Sequence, residues 1–242
     1  MKNQIEEPSR KEIWKMFDQI SPTYDRANRV MTLGMDQLWR KKVCTFFPKE
    51  NHLRILDCAT GTGDQIIAMM ETDSRVDSAV GIDLAEAMIA IGREKLSKKP
   101  YANKVALQVA SALEIPFPDQ SFDAVTISFG IRNVTDVIGA LKEFHRVLKV
   151  GGRVLILEGT MPEQKAWKNL NRFYLRHILP RIGGLISKKP EAYRYLNETI
   201  ETFPQGAAFC KLMQSAGFKE VKLHPLFFGV ATVYQGDRHE VD

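Results

Sequence analysis

The sequence predicts an α/β protein with a mostly parallel sheet and helices on both of its faces. In the middle of the chain, short apolar runs alternate with helical patterns, which is the rhythm of βαβ units. The first apolar run ends in a loop with two glycines, Gly61 and Gly63, before a helical pattern begins. Open parallel sheets bind cofactors at the carboxyl ends of their strands, so this loop is the first candidate for a binding site.

Five strands and three intervening helices make up the predicted core. The strands are expected at residues 54–58, 79–83, 105–110, 122–128 and 153–158. The helices are expected near residues 64–71, 85–98 and 135–147. The pair Gly151 and Gly152 predicts a tight turn into the fifth strand.

The N-terminal residues 1–50 are predicted to form a helical cap on this core. Ile13, Phe17 and Ile20 recur at helical spacing, which predicts a helix that begins after Ser9 and that Pro22 stops. A second helix is expected near residues 36–47. The core itself, residues 51–158, is predicted to hold the cofactor within a single domain.

After the fifth strand the alternation breaks. Residues 159–204 are rich in bulky and basic side chains and are predicted to form a helical insertion or lid. A helix near residues 205–216 and two strands near 220–223 and 227–234 complete the domain at 205–242.

Composition restricts the class of protein. The chain has 242 residues, a formal net charge of +5, 44% hydrophobic residues and 26% charged residues, as in ordinary globular domains. No apolar run is long enough for a transmembrane helix, and the first residues lack the apolar stretch of a secretory signal. Cys44, Cys58 and Cys210 show no metal-site or disulfide spacing. We therefore expect a cytoplasmic protein without a metal site.

The loop after the first strand favours S-adenosylmethionine over a dinucleotide. Gly61 and Gly63 allow the backbone to approach a ligand closely, and the helix that follows offers free N–H groups to a carboxylate. A dinucleotide fingerprint needs a third glycine where this chain has Ile66. The flanking carboxylates Asp57 and Asp64 are expected to repel a pyrophosphate and to favour an ammonium and a sulfonium.

Further candidates follow the next three strands. Asp83 ends the second strand, where a carboxylate can accept hydrogen bonds from both ribose hydroxyls; its alternative role is to cap the next helix. Ser111 and Ala112 follow the third strand and leave room for an adenine ring. Ser128 ends the fourth strand and is expected to face the same crevice.

Three segments narrow the class further. They are YDRANRVMTLGMDQLW at 24–39, ISFGIRNVTD at 127–136 and RVLKVGGRVLILEGT at 146–160. With the loop ATGTGD they closely resemble the ubiquinone/menaquinone biosynthesis C-methyltransferase family, over roughly residues 14–234. The resemblance implies a Rossmann-like class I methyltransferase sheet with an antiparallel last strand, and S-adenosyl-L-methionine as the cofactor. In that family, cofactor contacts fall on the positions that match Thr62, Asp83, Ser111, Ala112 and Ser128.

The chain departs from the family pattern at four positions. Ala27 stands for a methionine, Thr32 and Thr160 for serines, and Asp36 for a histidine. The change at Asp36 argues against an essential proton-transfer role for that position.

The resemblance implies methyl transfer to a ring carbon of a demethylated prenyl quinol, either a demethylmenaquinol or a 2-methoxy-6-polyprenyl-1,4-benzoquinol. Arg132 and Asn133 are predicted beside the ring, where Arg132 stabilises a phenolate or holds a water; the alternative is an ion pair with Asp136. Tyr24 is predicted to close over the site, or else to be a core aromatic. His145 is a weaker candidate base because it lies inside a predicted helix.

Residues 167–189 combine aromatic and aliphatic side chains with lysines and arginines. This composition is typical of a helix that lies on an anionic membrane surface. A lid or a subunit contact in a homodimer fits it equally well, so all three interpretations stay open.

Two alternative functions stay open at this point, a methyltransferase for another small molecule and a cofactor-binding protein without catalysis. Nucleic acid is not expected as a substrate. The chain lacks the Pro-Pro-aromatic stretch of adenine methyltransferases near the fourth strand and the Pro-Cys dipeptide of cytosine methyltransferases.

Overall fold

The fold is a seven-stranded sheet between helices, as seen in a computed structural model that describes residues 12–187 and 189–240, without the side chains of residues 190 and 193. The strands are β1 (Leu53–Cys58), β2 (Val76–Asp83), β3 (Val105–Val109), β4 (Phe122–Ser128), β5 (Leu148–Gly159), β6 (Lys219–Leu226) and β7 (Ala231–Asp237). Their order in the sheet is β3-β2-β1-β4-β5-β7-β6. The strands β1 to β5 are parallel, and β7 is antiparallel to both β5 and β6. The predicted fold class, including the antiparallel last strand, is confirmed.

The helices are α1 (Ile13–Met31), α2 (Met35–Cys44), α3 (Asp64–Thr72), α4 (Glu86–Ser97), α5 (Val137–Val147), α6 (Lys165–Phe173), α7 (Leu179–Ser187), α8 (Pro190–Thr202) and α9 (Ala207–Ser215). A π-helical turn at Tyr174–Ile178 joins α6 to α7. The predicted helical insertion before the last two strands is therefore present.

The central strands are buried along most of their length because both faces of the sheet are covered. Five of the six residues of β1 are buried, and β4 is buried at every position but one. One face packs on α5 and α9 through Phe144, Phe209 and Met213. The other packs on α2 and α3 through residues such as Val43 and Met69. The core thus fixes the carboxyl ends of the parallel strands, where the cavity described below lies.

Helix α1 continues through Pro22, so the prediction that Pro22 stops it is wrong. Proline has no N–H to donate to the carbonyl oxygen four residues earlier, which here belongs to Asp18. The hydroxyl of Ser21 donates to that oxygen instead, at 2.8 Å. The predicted start after Ser9 lies outside the described residues.

The last predicted strand is displaced toward the C-terminus. Phe227–Gly229 form a single 3-10 turn rather than the beginning of a strand. Phe227 and Phe228 both have a left-handed backbone, with φ of 42° and 56°. Aromatic residues favour strands in general, which is why the pattern was misleading here. The strand β7 begins only after this turn, at Ala231.

The insertion packs on the N-terminal helix rather than on the sheet alone. Leu175 and Leu179 are buried in a third apolar cluster with Ile13, Ile20 and Met88. The hydroxyl of Tyr174 donates to the carbonyl oxygen of Met31 at the end of α1. The helices α1, α4, α7 and α8 therefore form a layer beside the cavity.

Candidate active site

A cavity of about 260 Å³ lies at the carboxyl ends of β1, β2 and β4. Its walls come from α1, from the loops after these strands and β3, and from the start of α4. Seven of the predicted site residues line it: Tyr24, Gly61, Asp83, Ser111, Ala112, Ser128 and Asn133. Four are not among the lining residues: Asp57, Thr62, Gly63 and Arg132.

The glycine loop takes a backbone conformation that suits glycine. Gly61 and Gly63 have φ of 56° and 81°, in the left-handed region. The N–H of Gly61 donates to Asp83 Oδ2 at 2.8 Å, so the loop after β1 is tied to the end of β2. Gly63 directly precedes the first residue of α3, and its left-handed backbone makes the turn into that helix.

Asp83 is held by backbone on both of its oxygens. Oδ2 accepts from Gly61, and Oδ1 accepts from the N–H of Ala85 at 2.9 Å. Burial raises the pKa of this carboxyl, and the backbone donors oppose the rise. Each carboxylate oxygen keeps a second acceptor position, which is what two ribose hydroxyls require. The alternative role of Asp83, in capping α4, is also present through Ala85.

Asp57 supports the loop from beneath and does not face the cavity. Its carboxylate is 1% exposed and accepts hydrogen bonds from Thr60 at 2.7 Å and Thr126 at 2.6 Å. Burial raises its pKa to about 6 despite these two hydroxyls. The structure therefore does not bring Asp57 together with the cavity-lining candidates.

Thr62 faces away from the cavity, toward α1 and α4. Its hydroxyl donates to Asp25 at 2.6 Å, and the ammonium group of Lys95 lies 3.1 Å from the same oxygen. Asp64 takes part in the same cluster through Lys95 at 2.6 Å and Arg29 at 2.7 Å. The cluster fastens the N-terminal helix to the glycine loop.

The charges around the loop differ from those that the sequence suggested. Burial opposes the ionisation of Asp64, yet Arg40, Lys95 and Arg29 outweigh it and lower its pKa. Asp64 is thus compensated, and Asp57 is shielded beneath the loop. The expectation that these two carboxylates repel a pyrophosphate does not describe the site. The charge that decides belongs to Asp83, since no other lining residue carries a formal charge.

Ser111, Ala112 and Ser128 lie where topology predicted. The hydroxyl oxygen of Ser111 accepts from the N–H of Leu113 at 3.1 Å, which fixes the short loop after β3. Ser128 donates to Gln65 Oε1 at 3.0 Å, so its side chain is held against α3. Both serines and Ala112 line the cavity, and their small side chains leave space in it.

The three predicted catalytic residues have different positions. Tyr24 and Asn133 line the cavity, and the Tyr24 ring meets Phe17 edge to face at 6.0 Å. Burial raises the pKa of Tyr24, while Asn28, Arg40 and Arg132 oppose the rise. Arg132 is 3% exposed.

The partner of Arg132 is Glu158, not Asp136. The guanidinium donates to the Glu158 carboxylate and to the carbonyl oxygen of Phe129. Asp136 instead caps α5 by accepting from the N–H of Gly139 at 2.9 Å. The alternative prediction of an Arg132–Asp136 pair is wrong because helix capping occupies Asp136. His145, on α5, packs edge to face on Phe218 and is not among the lining residues.

Sequence reasoning missed the contribution of α1 to the cavity wall. Ile13, Trp14 and Phe17 line the cavity next to Leu84 and Met88. The helical spacing of Ile13 and Phe17 marked an apolar face but did not say what it covers. Glu158 was also missed, although it stands in the segment RVLILEGT, because a carboxylate at the end of a buried strand has no distinctive spacing.

The residues present fit S-adenosylmethionine. That cofactor carries one carboxylate, one ammonium and one sulfonium, so its net charge is opposite to that of a cavity with Asp83 as its only charged lining residue. A dinucleotide would bring two phosphate charges into a cavity whose described lining contains neither lysine nor arginine. Apolar side chains and the small residues after β3 suit an adenosine group.

The sheet order, the glycine loop and this cavity define a class I S-adenosylmethionine-dependent methyltransferase. A solved, putative S-adenosylmethionine-dependent methyltransferase of Methanococcus maripaludis shares the fold, with a TM-score of 0.68 at 15% identity over 93% of this chain and 95% of that one. The chain belongs to the ubiE/COQ5 methyltransferase family, whose profile matches residues 4–238.

Curated relatives agree with this family. The ubiquinone/menaquinone biosynthesis C-methyltransferase of Geotalea daltonii is 44% identical over 226 residues, which is 93% of this chain and 96% of the relative. The demethylmenaquinone methyltransferase of Bacteroides fragilis is 38% identical over 224 residues, 92% of this chain and 91% of the relative. The predicted family, enzyme class and cofactor are confirmed.

Proposed function

We propose that this enzyme methylates a ring carbon of a demethylated prenyl quinol, of either the naphthoquinol or the benzoquinol type. The observation that carries the proposal is the cavity itself: one carboxylate for the cofactor, and an apolar wall from α1 for a neutral, apolar acceptor. The names of the relatives, which specify quinone biosynthesis, support the same acceptor class.

The cofactor supplies a methyl group on a sulfonium centre. The protein must place a quinol carbon in line with that methyl group and make the carbon nucleophilic. A carbon next to a hydroxyl becomes nucleophilic as the hydroxyl loses its proton. Tyr24 and Asn133 line the cavity and can hydrogen-bond to that hydroxyl, and the positive charge of Arg132 stabilises the phenolate.

The test is turnover with two acceptors in two oxidation states. Demethylated naphthoquinol and benzoquinol are incubated with the protein and S-adenosylmethionine under anaerobic reduction, and products are identified by mass. We expect a gain of one methylene unit with at least one quinol. The oxidised quinones serve as the control: they have no ring hydroxyl to deprotonate, so they should not be methylated. Absence of methylation for both quinols contradicts the proposal.

We also propose that the face formed by α6, the π-helical turn and α7 contacts the membrane that holds such a substrate. None of the described helices is long and apolar enough to span a bilayer. Leu170, Phe173 and Leu185 are 58%, 55% and 82% exposed on this face. Leu33, 89% exposed, stands at the end of α1, which Tyr174 ties to the same face. Exposed apolar side chains together with basic residues suit anionic headgroups.

Vesicle co-sedimentation tests this second proposal. The protein is spun with zwitterionic vesicles and with vesicles that also contain anionic phospholipid. We expect binding to the anionic vesicles and a loss of binding in Leu170→Ser/Phe173→Ser. Leu223→Ser, a similar change at an exposed leucine of β6, is the control and should bind like the unchanged protein. Equal sedimentation of both variants, or none with anionic vesicles, contradicts the proposal.

A further inference from the structure

Three buried side-chain polar atoms of residues at the carboxyl ends of β4 and β5 have no hydrogen-bond partner among the described residues. They are Arg132 Nε, Glu158 Oε2 and Asn133 Oδ1. Glu158 is 1% exposed and Arg132 is 3% exposed. Unsatisfied buried polar atoms are costly, so such a group indicates a ligand or a water that the fold is built to hold.

The topology brings the residues that carry these atoms to neighbouring strand ends. Arg132 and Asn133 belong to the 3-10 turn Ile131–Asn133 directly after β4, and Glu158 is the penultimate residue of β5. The strands β4 and β5 are parallel neighbours, with Ser128 paired to Leu157. Their carboxyl ends therefore place the turn beside Glu158, as the hydrogen bond between Arg132 and Glu158 confirms.

The other carboxylate oxygen of Glu158 and the Arg132 guanidinium have partners that fix their orientation. Glu158 Oε1 accepts from Arg132 and from the N–H of Gly159, the latter at 2.8 Å. The Arg132 guanidinium also donates to the carbonyl oxygen of Phe129 at 2.9 Å. Phe129 and Asn133 both line the cavity. The pair is thus fixed in orientation and connected to the cavity through these two residues.

We propose that Glu158 is the proton acceptor of the methyl transfer and that one water, held by these three atoms, connects it to the quinol hydroxyl. A water has two donor and two acceptor positions. It donates to Glu158 Oε2 and Asn133 Oδ1, accepts from Arg132 Nε, and keeps one acceptor position for the quinol O–H. This assignment rests on the proposed function, because it presupposes a hydroxyl-bearing acceptor.

Two protons leave the quinol during the reaction, and one returns to its oxygen. The quinol O–H proton passes to the water, and a proton of the water passes to Glu158 Oε2. The ring carbon uses the electron pair of the phenolate to form a bond to the methyl carbon, and the bond from that carbon to sulfur breaks. The ring then loses the hydrogen of the methylated carbon as a proton and its oxygen is reprotonated, so one proton is released overall.

The electrostatics of the pair suit a base. Burial raises the pKa of Glu158, and the charge of Arg132 with the N–H of Gly159 opposes the rise. On β7, burial raises the pKa of Tyr234 to about 12, and the Glu158 charge adds to it. On α1, burial also raises the pKa of Tyr24. Neither tyrosine competes for the proton near neutral pH, and a guanidinium has no acceptor position for it.

The test is the pH profile of kcat for the unchanged enzyme and for Glu158→Gln. Glutamine keeps the shape and an oxygen for Arg132, but it cannot take a proton. General bases contribute on the order of 10²–10⁴ in rate, so kcat at neutral pH should fall roughly a hundredfold or more. As pH rises, the quinol ionises without a base, and the variant should gain about tenfold per pH unit toward the unchanged enzyme. The unchanged enzyme should lose activity as pH falls through the raised pKa of Glu158.

Controls separate this role from a structural one. S-adenosylhomocysteine should raise the melting temperature of Glu158→Gln as much as that of the unchanged protein. Glu163→Gln, the same change at an exposed glutamate, should leave kcat unaltered. If Glu158→Gln does not fold, Glu158→Asp keeps a carboxylate and should keep the acidic limb with a lower kcat.

Three results overturn the assignment: an unchanged kcat in Glu158→Gln, a loss that is equal at every pH, or no acidic limb in the unchanged enzyme. If the unchanged enzyme methylates neither quinol, the proposed function itself fails, and this outcome is recognised without any variant.

Discussion

The two sides of the cavity are built in opposite ways. On the cofactor side, backbone N–H groups and short loops hold Asp83, and each of its oxygens has a backbone donor. On the side proposed for the acceptor, bulky side chains of α1 form the wall, and Arg132, Asn133 and Glu158 have buried polar atoms without a partner among the described residues. The polar groups named on the first side are paired within the protein, whereas those on the second side offer free hydrogen-bonding positions.

This difference follows from what each side must do. The cofactor side receives a ligand of fixed shape and charge, so rigid backbone recognition is sufficient. The acceptor side must change the protonation of a neutral ligand, which requires polar groups whose hydrogen bonds form during the reaction. Substitutions on the two sides should therefore affect different measurements.

The largest effect is expected for Asp83→Asn. The variant keeps the shape of the side chain but loses the charge that faces the cationic cofactor and one acceptor oxygen. Hydrogen bonds to charged groups contribute about 1.5–3 kcal/mol, so cofactor affinity should fall on the order of a hundredfold. Calorimetric titration with S-adenosylhomocysteine measures this. A Kd within a factor of about two of the unchanged protein would place the ribose elsewhere.

A smaller effect, on the other side, is expected for Phe17→Ala. This ring lines the acceptor wall and supports the Tyr24 ring at 6.0 Å. Loss of about 2 kcal/mol of apolar contact should raise the KM for the quinol roughly thirtyfold. The cofactor Kd should stay unchanged. Phe227→Ala, at an exposed phenylalanine of the turn before β7, is the control, and a shift in cofactor Kd rather than in KM would contradict the division into two sides.

The cofactor side was also the more predictable from sequence. Gly61, Asp83, Ser111 and Ser128 follow strand ends, and strand ends of a parallel sheet meet at one edge whatever the side chains are. Local pattern was therefore enough to find them. The carboxylates Asp57 and Asp64 flank the loop in sequence, but the cavity is not where their charges act. Asp57 accepts from Thr126 and Asp64 pairs with Lys95, and such partners, distant in sequence, cannot be read from the local pattern.

The acceptor side depends on contacts between segments that are distant in sequence. Phe17 lies on α1, which is continuous through Pro22. The packing of α1 on α4 and α7 brings the Phe17 ring to the cavity. The pairing of Arg132 with Glu158 joins residues on neighbouring strands, and nothing in either segment specifies the other. The family resemblance pointed to Arg132, but sequence pattern gave neither its partner Glu158 nor the place of Phe17 in the cavity wall.

A weaker effect on cofactor affinity is expected for Lys95→Met. Lys95 connects the two sides of the cavity. Lys95 bridges Asp25 on α1 at 2.7 Å and Asp64 at the loop at 2.6 Å. The methionine removes the cation between Asp25 and Asp64, although Arg29 still pairs with Asp64, and it loosens α1, which partly covers the cavity. Because the cluster is partly exposed, we expect about a tenfold loss in cofactor affinity, smaller at high salt. Lys98→Met, which removes an exposed pair with Glu94, is the matched control and should change nothing in the same titration.

The smallest effect concerns the carboxylate beneath the loop and is visible only as a function of pH. Burial raises the pKa of Asp57 from its usual 3.8 to about 6. An acid with a raised pKa stabilises the fold fully below its unfolded pKa, and this contribution is lost as pH rises through the folded value. Asp57→Asn does not ionise, so its stability relative to the unchanged protein should increase by about 1 kcal/mol between about pH 5 and pH 7.

Thermal unfolding of Asp57→Asn without cofactor at the two pH values measures this difference, as a few degrees in melting temperature. Asp73→Asn gives a control of opposite sign. A hydrogen bond from Arg75 lowers the pKa of Asp73, so that carboxylate stabilises the fold at neutral pH and its replacement should cost stability there. If Asp57→Asn gains nothing toward neutral pH while Asp73→Asn behaves as expected, Asp57 is ionised at little cost. The loop would then carry this negative charge at acidic pH as well, and the cofactor side would depend on Asp57 as well as on Asp83.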